Sequence, residues 1–276
     1  MGVFTRSERV PLSPSSSEGT APAEIASRRR WVRRLGTSLI VLGILGLAYG
    51  AAIYFWRDPV TDLYTRVQQH RLQGQLTRSI EEFQAVVDFP EGRPAAPEGL
   101  SSEELAQAVQ RVAGKMLARL EEGDPLGRLT IPRLGIQPIV VNGTRWAQDL
   151  SRGPGRYPET SLPGMGEVTA IAGHRTTFGA PFRKIDRLEA GDSITFELPY
   201  GTFEYRVFSH EIVDDADWSV IRGRGFDTLV LSACHPLYSA SQRWIVYARL
   251  VEVELPNGRS YEVRAGEEVA AASAGA

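Results

Sequence analysis

An uncharged run of 22 residues, from 35 to 56, does most to restrict what this chain can become. At about 1.5 Å per helical residue, such a run is long enough to cross a hydrocarbon core. Arg28, Arg29, Arg30, Arg33 and Arg34 precede it, whereas Arg57, Asp58 and Asp62 follow. The excess of arginine on the leading side places the N-terminus in the cytoplasm and everything after Trp56 outside the plasma membrane. Tyr49, Tyr54, Phe55 and Trp56 gather at the outer end, as in an interfacial aromatic belt. The run begins far from the N-terminus and lacks a small-residue cleavage pattern, so a cleaved signal peptide is not expected.

The rest of the chain divides by composition. Residues 1–34 read as a basic cytoplasmic tail, and the Ser-, Pro- and Ala-rich first 27 are expected to be disordered. Residues 57–123 read as a helical stalk or a packing extension. Val60, Leu63, Tyr64, Val67, Leu76, Ile80, Phe83 and Val87 follow helical spacing with a slip near Gly74. A Pro- and Gly-rich stretch, 90–99, separates them from Leu105, Val109, Val112, Met116 and Leu120. Ser101 and Glu104 have capping-box spacing at the start of this second helix, and Gly123 with Pro125 stops it.

From Gly127 onward the pattern turns to strands: 129–131, 139–141, 168–171, 194–198, 202–208, 228–231 and 244–255. Pro199-Tyr200-Gly201 forms the turn of a hairpin. Many short strands imply a mostly β domain, either a sandwich or a closed barrel, over 124–255. Residues 256–276 read as a flexible tail.

Charge and cysteine content narrow the function. The net charge is −2, and no basic domain patch, RRM-like motif or finger spacing points to nucleic acid. Lys115 and Lys184 are the only lysines beside many arginines, a bias that fits a GC-rich genome. Cys234 is the single cysteine, so no internal disulfide forms. A lone cysteine is often a small buried hydrophobe, but on an exported chain it also signals a reactive thiol or intermolecular pairing.

Cys234 closes the apolar run Leu229-Val230-Leu231-Ser232-Ala233 and precedes His235-Pro236, which puts the thiol at a strand end. A free thiol is only about 3% thiolate at pH 7, so a nucleophilic cysteine needs a base or a cation nearby. The chain has four histidines. His70 lies in the first helical segment and reads as solvated. His210 alternates with Phe208 and reads as structural. His235 adjoins Cys234, and neighbouring strand side chains diverge. His174 ends an apolar strand in Gly173-His174-Arg175-Thr176-Thr177-Phe178-Gly179, where two glycines would let backbone approach a substrate closely. Arg243 opens the following strand, nine positions after Cys234. An antiparallel pairing would set it beside the thiol, where a fixed donor could hold an oxyanion; a strand-end surface arginine is the plainer alternative.

These blocks together resemble the sortase family over roughly 128–252. The resemblance is carried by Ile131-Pro132-Arg133-Leu134-Gly135-Ile136, Gly153-Pro154-Gly155-Arg156-Tyr157-Pro158, Ala172-Gly173-His174-Arg175 and Leu231-Ser232-Ala233-Cys234-His235-Pro236, running on to Gln242-Arg243. The resemblance implies a closed eight-stranded β-barrel with short helices, and a thioester mechanism with Cys234, His174 and Arg243 as its catalytic set. Cys234 would cleave a Thr–Gly-type bond in a sorting signal of the LAXTG or LPXTG kind. His174 would protonate the leaving amine from a reverse-protonated Cys–His pair, and Arg243 would hold substrate and oxyanion. The acceptor would be the cross-bridge amine of the peptidoglycan precursor lipid II in a Gram-positive wall.

Class E is the most similar subclass and class D the next, on the Ala-Gly-His-Arg-Thr-Thr-aromatic-Gly-Ala-Pro-Phe run; the Arg-rich composition fits actinobacterial hosts. The usual Thr-Leu-x-Thr-Cys motif is replaced here by Val230-Leu231-Ser232-Ala233-Cys234, which removes a hydroxyl before the thiol. No cofactor or metal is expected. Asp214, Asp215 and Asp217 read as a solvated acidic turn, and Asp124-Pro125-Leu126 as a strand lead-in rather than a lid.

Two other functions compete. An L,D-transpeptidase also uses Cys, His and Arg, but keeps its histidine close to a Ser-x-Gly-Cys run. A non-catalytic extracellular β-domain would bury Cys234 as an inert thiol.

Overall fold

The computed structural model describes residues 21–55, 58–86 and 101–263. Of the first 27 residues, expected to be disordered, 1–20 lie outside these residues, whereas 21–27 are helical; Trp56, the 90–99 stretch and the chain beyond Val263 also lie outside. The described chain falls into two compact units, divided between Ala51 and Ala52.

The first unit is made by most of helix α1 (Ala21–Phe55). Within it, Arg28–Tyr54 has a mean hydropathy of 1.9, and Leu39, Ile40, Leu42, Ile44, Leu45 and Leu47 all stand exposed. Apolar side chains exposed all round a helix of this length suit lipid as solvent.

The second unit holds helices α2 (Pro59–Val86) and α3 (Ser102–Leu117) and nine strands. These are β1 (Pro125–Thr130), β2 (Ile139–Asn142), β3 (Gly155–Arg156), β4 (Val168–Gly173), β5 (Ser193–Leu198), β6 (Gly201–Asp214), β7 (Thr228–His235), β8 (Gln242–Glu254) and β9 (Ser260–Glu262). The order β6-β5-β1-β2-β3-β4-β7-β8 returns on itself through β6–β8 pairing, which closes an eight-stranded barrel, and β9 extends the sheet beside β8. Of the two architectures compatible with the strand pattern, the chain adopts the barrel.

Alternation along β7 divides its side chains between two packing regions. Leu229, Leu231 and Ala233 enter the main core with Val246, Ala248 and Leu250 of β8. Val230 faces the other way, into a smaller cluster with Val168, Ala170, Val220, Ile245 and Tyr247. A period of two therefore carries Ser232 and Cys234 to the outer face, on the same side as this smaller cluster.

Both helices of the second unit are built into its packing. Ser101 caps α3, accepting from the Glu104 amide at 3.3 Å while the Ser101 amide donates to the Glu104 carboxylate at 2.8 Å. The apolar stripe of α3, including Leu105, Val109, Val112 and Met116, belongs to the main core. Helix α2 lays Leu72 and Leu76 on Ile139 and Val141 of β2. Gln69 completes the contact: its Nε2 donates to the Ile139 and Arg152 carbonyls at 3.0 and 2.8 Å, and its Oε1 accepts from the Ile139 amide at 2.7 Å.

Candidate active site

Strands β4 and β7 run parallel, and their pairing ends at Gly173 opposite Ala233. The next residue on each strand is His174 and Cys234, so the ladder delivers both to one end of the barrel. On the other side of β7, the antiparallel register pairs Cys234 directly with Arg243 of β8. Cys234 and Arg243 lie on β7 and β8 and His174 directly follows the adjacent β4, although sixty positions of sequence separate His174 from Cys234.

They line one cleft of about 730 Å³, with Trp146, Tyr157 and Trp218 among its walls. Cys234 is a half-buried free thiol. His174 is also half-buried, and its Nε2 is enclosed without a hydrogen-bond partner. Burial holds the His174 imidazole below its ordinary value of 6.5, because the enclosed ring pays more to carry a charge. Arg243 turns its Nη1 back to the carbonyls of Ala240 and Gln242, at 2.7 and 3.0 Å. This fixes the guanidinium against the β7–β8 loop and leaves other N–H donors on the fork.

Aromatic side chains bracket His174. Phe178 lies 5.2 Å from it between ring centroids, and Trp146 meets it edge-on at 6.4 Å. Phe178 is itself held from α2, since its amide donates to Thr61 Oγ1 at 2.9 Å and Tyr64 packs against its ring. Among the described residues, the non-glycine positions with positive φ are Phe178, Ala180 and Tyr238, all in the two loops that follow His174 and Cys234. Left-handed backbone at such residues costs about 1–3 kcal/mol each and persists only where the surroundings fix it.

The other residues singled out in the sequence fall elsewhere. His70 is exposed on α2. By strand alternation His235 faces away from Cys234; its ring lies tilted against Trp244 at 5.5 Å, and Trp244 stacks on His210 at 5.4 Å. Gly173 has a different use from the one expected: the space beside its Cα is filled by the Phe182 ring, so close packing inside the protein, not substrate approach, excludes a side chain there. Asp217 caps a short 3-10 turn by accepting from the Ser219 amide at 2.8 Å, and the Ser219 hydroxyl together with that amide holds its carboxyl below the usual range. Trp146, Phe178 and Trp218 were not singled out as site residues, because aromatic residues in loops carry no periodic signal.

The sequence model of one family, described as Sortase domain, matches residues 129–251. Sortase D of Bacillus subtilis is 30% identical over 165 residues, covering 58% of this chain and 81% of that relative. Sortase SrtE1 of Streptomyces coelicolor is 32% identical over 147 residues, or 48% of this chain, and this alignment spans only 42% of the relative. Among solved structures, the crystal structure of Sortase E1 from Streptomyces coelicolor, with a tripeptide in its active site, is 29% identical. It covers 49% of this chain and 93% of that chain, with a TM-score of 0.46.

Proposed function

Because the chain belongs to the sortase family of cysteine transpeptidases, we propose that Cys234, His174 and Arg243 are its catalytic set and that it attaches secreted proteins to a cell-wall amine. The observation that carries this reading is the register: Cys234 pairs with Arg243 on one flank, and His174 ends the strand on the other. Family membership sets aside both the L,D-transpeptidase and the non-catalytic domain.

The chemistry follows from these positions. The Cys234 thiolate attacks the carbonyl of a Thr–Gly-type bond in a sorting signal, and Arg243 donates to the oxyanion that forms. Collapse of the tetrahedral species expels the glycine amine, which takes its proton from the His174 imidazolium, and leaves a thioester on Cys234. An acceptor amine, such as the lipid II cross-bridge, then loses a proton to His174 and attacks the thioester, and the thiolate departs. Burial keeps His174 largely neutral near pH 7, so the active form carries a minor population of imidazolium. That is the condition a reverse-protonated pair requires.

Helix α1 serves as the single-pass anchor in this reading, with its arginines in the cytoplasm and the barrel outside the plasma membrane. In this reading the catalytic domain spans 124–255, with α2 and α3 packed upon it, and β9, within the stretch read as a flexible tail, pairs with β8. The relatives carry both class D and class E names, so the peptide that the cleft prefers assigns the class. The test is to incubate the full-length enzyme in detergent with LAXTG, LPXTG and LPXTA peptides and an amine acceptor, beside Cys234→Ala. Cysteine-dependent cleavage with ligation is expected for one of the peptides. Cleavage that survives Cys234→Ala would sink the assignment.

A further inference from the structure

Arg175 follows His174 directly, yet its side chain is turned into the protein and is only 3% exposed. Its guanidinium reaches four residues in two segments at once. Nη1 donates to the backbone carbonyl of Cys234 at 3.3 Å and faces His235 Nδ1, also at 3.3 Å. Nη2 donates to the Asp186 carboxylate at 3.0 Å and to the Arg183 carbonyl at 3.4 Å.

The position of these contacts matters as much as their number. Backbone pairing between β4 and β7 stops at Gly173 and Ala233. Beyond that point the His174 carbonyl turns to its own loop, accepting from the Phe182 amide at 3.0 Å. The turn that carries His174 and the strand end that carries Cys234 leave the ladder together, and the Arg175 side chain spans the gap between them. An arginine fork is suited to this task because its donors are fixed in a plane and can serve several acceptors. A lysine ammonium offers a single charged point on a flexible stem. Asp186 balances the buried charge, which would otherwise be costly.

We propose that Arg175 is a positioning residue that ties the His174 turn to the Cys234 strand end and sets the relation between imidazole and thiol. The proposal rests on the reading of Cys234 and His174 as the reacting pair. Arg175 has no direct part in the bond-making steps. Its effect falls on turnover, because a displacement of about 1 Å between reacting groups can cost about 100-fold in rate.

The test uses the full-length enzyme with its preferred sorting-signal peptide and measures kcat, KM, thermal midpoint and the pH dependence of Cys234 alkylation. Arg175→Met is expected to lower kcat by about 100-fold with KM changed less than about threefold, and to move the midpoint of the alkylation profile. Arg175→Lys, which keeps the charge but not the fork, is expected to recover only a small part of that loss. Wild-type kcat in Arg175→Met, or a loss that follows the unfolded fraction alone, would overturn the proposal. If Arg175→Met does not fold, Asp186→Asn decides, because Asp186 is 45% exposed and its loss frees one anchor of the guanidinium. A reduced kcat at unchanged thermal midpoint then supports positioning, and wild-type kinetics overturns it. Turnover retained by Cys234→Ala would remove the underlying reading of the site, a result that Arg175 variants alone cannot produce.

Discussion

Cys234 and Arg243 are direct cross-strand partners on the β7–β8 ladder. The relation is set by backbone hydrogen bonds of two long strands. Small changes in the loops around the cleft therefore leave it intact, and substitution at either position reports on chemistry more than on folding.

Replacement of Arg243 is accordingly expected to separate activity from stability. Arg243→Ala should lower kcat/KM by about 100- to 1,000-fold, the range seen when one oxyanion donor is lost. The thermal midpoint should stay close to that of the parent, because the side chain bonds to the nearby carbonyls of Ala240 and Gln242, at the entry to β8. Steady-state kinetics beside a thermal melt checks this, and a kcat/KM within threefold of the parent would exclude Arg243 from the oxyanion.

The buried imidazole of His174 gives a signed pH effect. Its folded pKa lies below the ordinary 6.5, so the unfolded chain binds this proton more readily. The stability that comes from a neutral His174 is present above about 6.5 and is lost as pH falls through the folded value. An NMR titration of the labelled ring should place its midpoint below 6.5. His174→Gln should remove that part of the acid destabilisation, and a midpoint at or above 6.5 would contradict the burial argument.

Asp227 acts with the opposite sign. It is buried at the start of β7, where its carboxylate accepts from Tyr205 Oη at 2.8 Å and from the Gly164 and Gly166 amides at 2.8 and 3.1 Å. Burial outweighs these bonds and raises its pKa from 3.8 to about 6. Its contribution is thus complete below about 3.8 and is lost as pH rises through 6, a change of about 3 kcal/mol at 1.36 kcal/mol per unit. In urea denaturation at pH 4 and pH 7, Asp227→Asn should lack this change. Equal pH dependence in the two proteins would show that Asp227 is ionised without penalty.

Helix α2 makes a prediction about stability. Gln69→Ala leaves both backbone groups of Ile139 without their side-chain partner, and orphaned buried groups cost roughly 1–3 kcal/mol. Chemical denaturation of the chain from Asp58 onward measures the loss. A change below about 0.5 kcal/mol would mean that α2 rides on its apolar contacts alone.

The strand positions were legible because alternation and turn residues mark them. The expected strands at 139–141, 168–171, 194–198 and 228–231 lie within β2, β4, β5 and β7. Strand β3 was not legible, since Gly155 and Arg156 are too few to show alternation. The capping box at Ser101 and Glu104 was readable from spacing, and both of its hydrogen bonds form. The site was legible in part for a similar reason. Cys234, His174 and Arg243 stand at strand ends or starts, where local sequence already marks a special position. Arg175 was visible as a motif letter without a role. Its partners lie up to 60 residues away, and nothing local distinguishes a buried arginine from a solvated one. Asp227 was missed for the same reason, with Tyr205 and Gly164 far from it in the chain.

The return of β8 to β6 has one more consequence. A sheet that ends in a free edge can take up an extended peptide as an additional strand, reading it mainly through main-chain hydrogen bonds. Among the described residues this sheet curls into a ring and offers no long edge beside Cys234. An incoming chain must therefore be gripped by side chains and loops such as those of Trp146 and Trp218. Preference for one peptide over another can then be rewritten in those loops while the ring that aligns the thiol stays as it is.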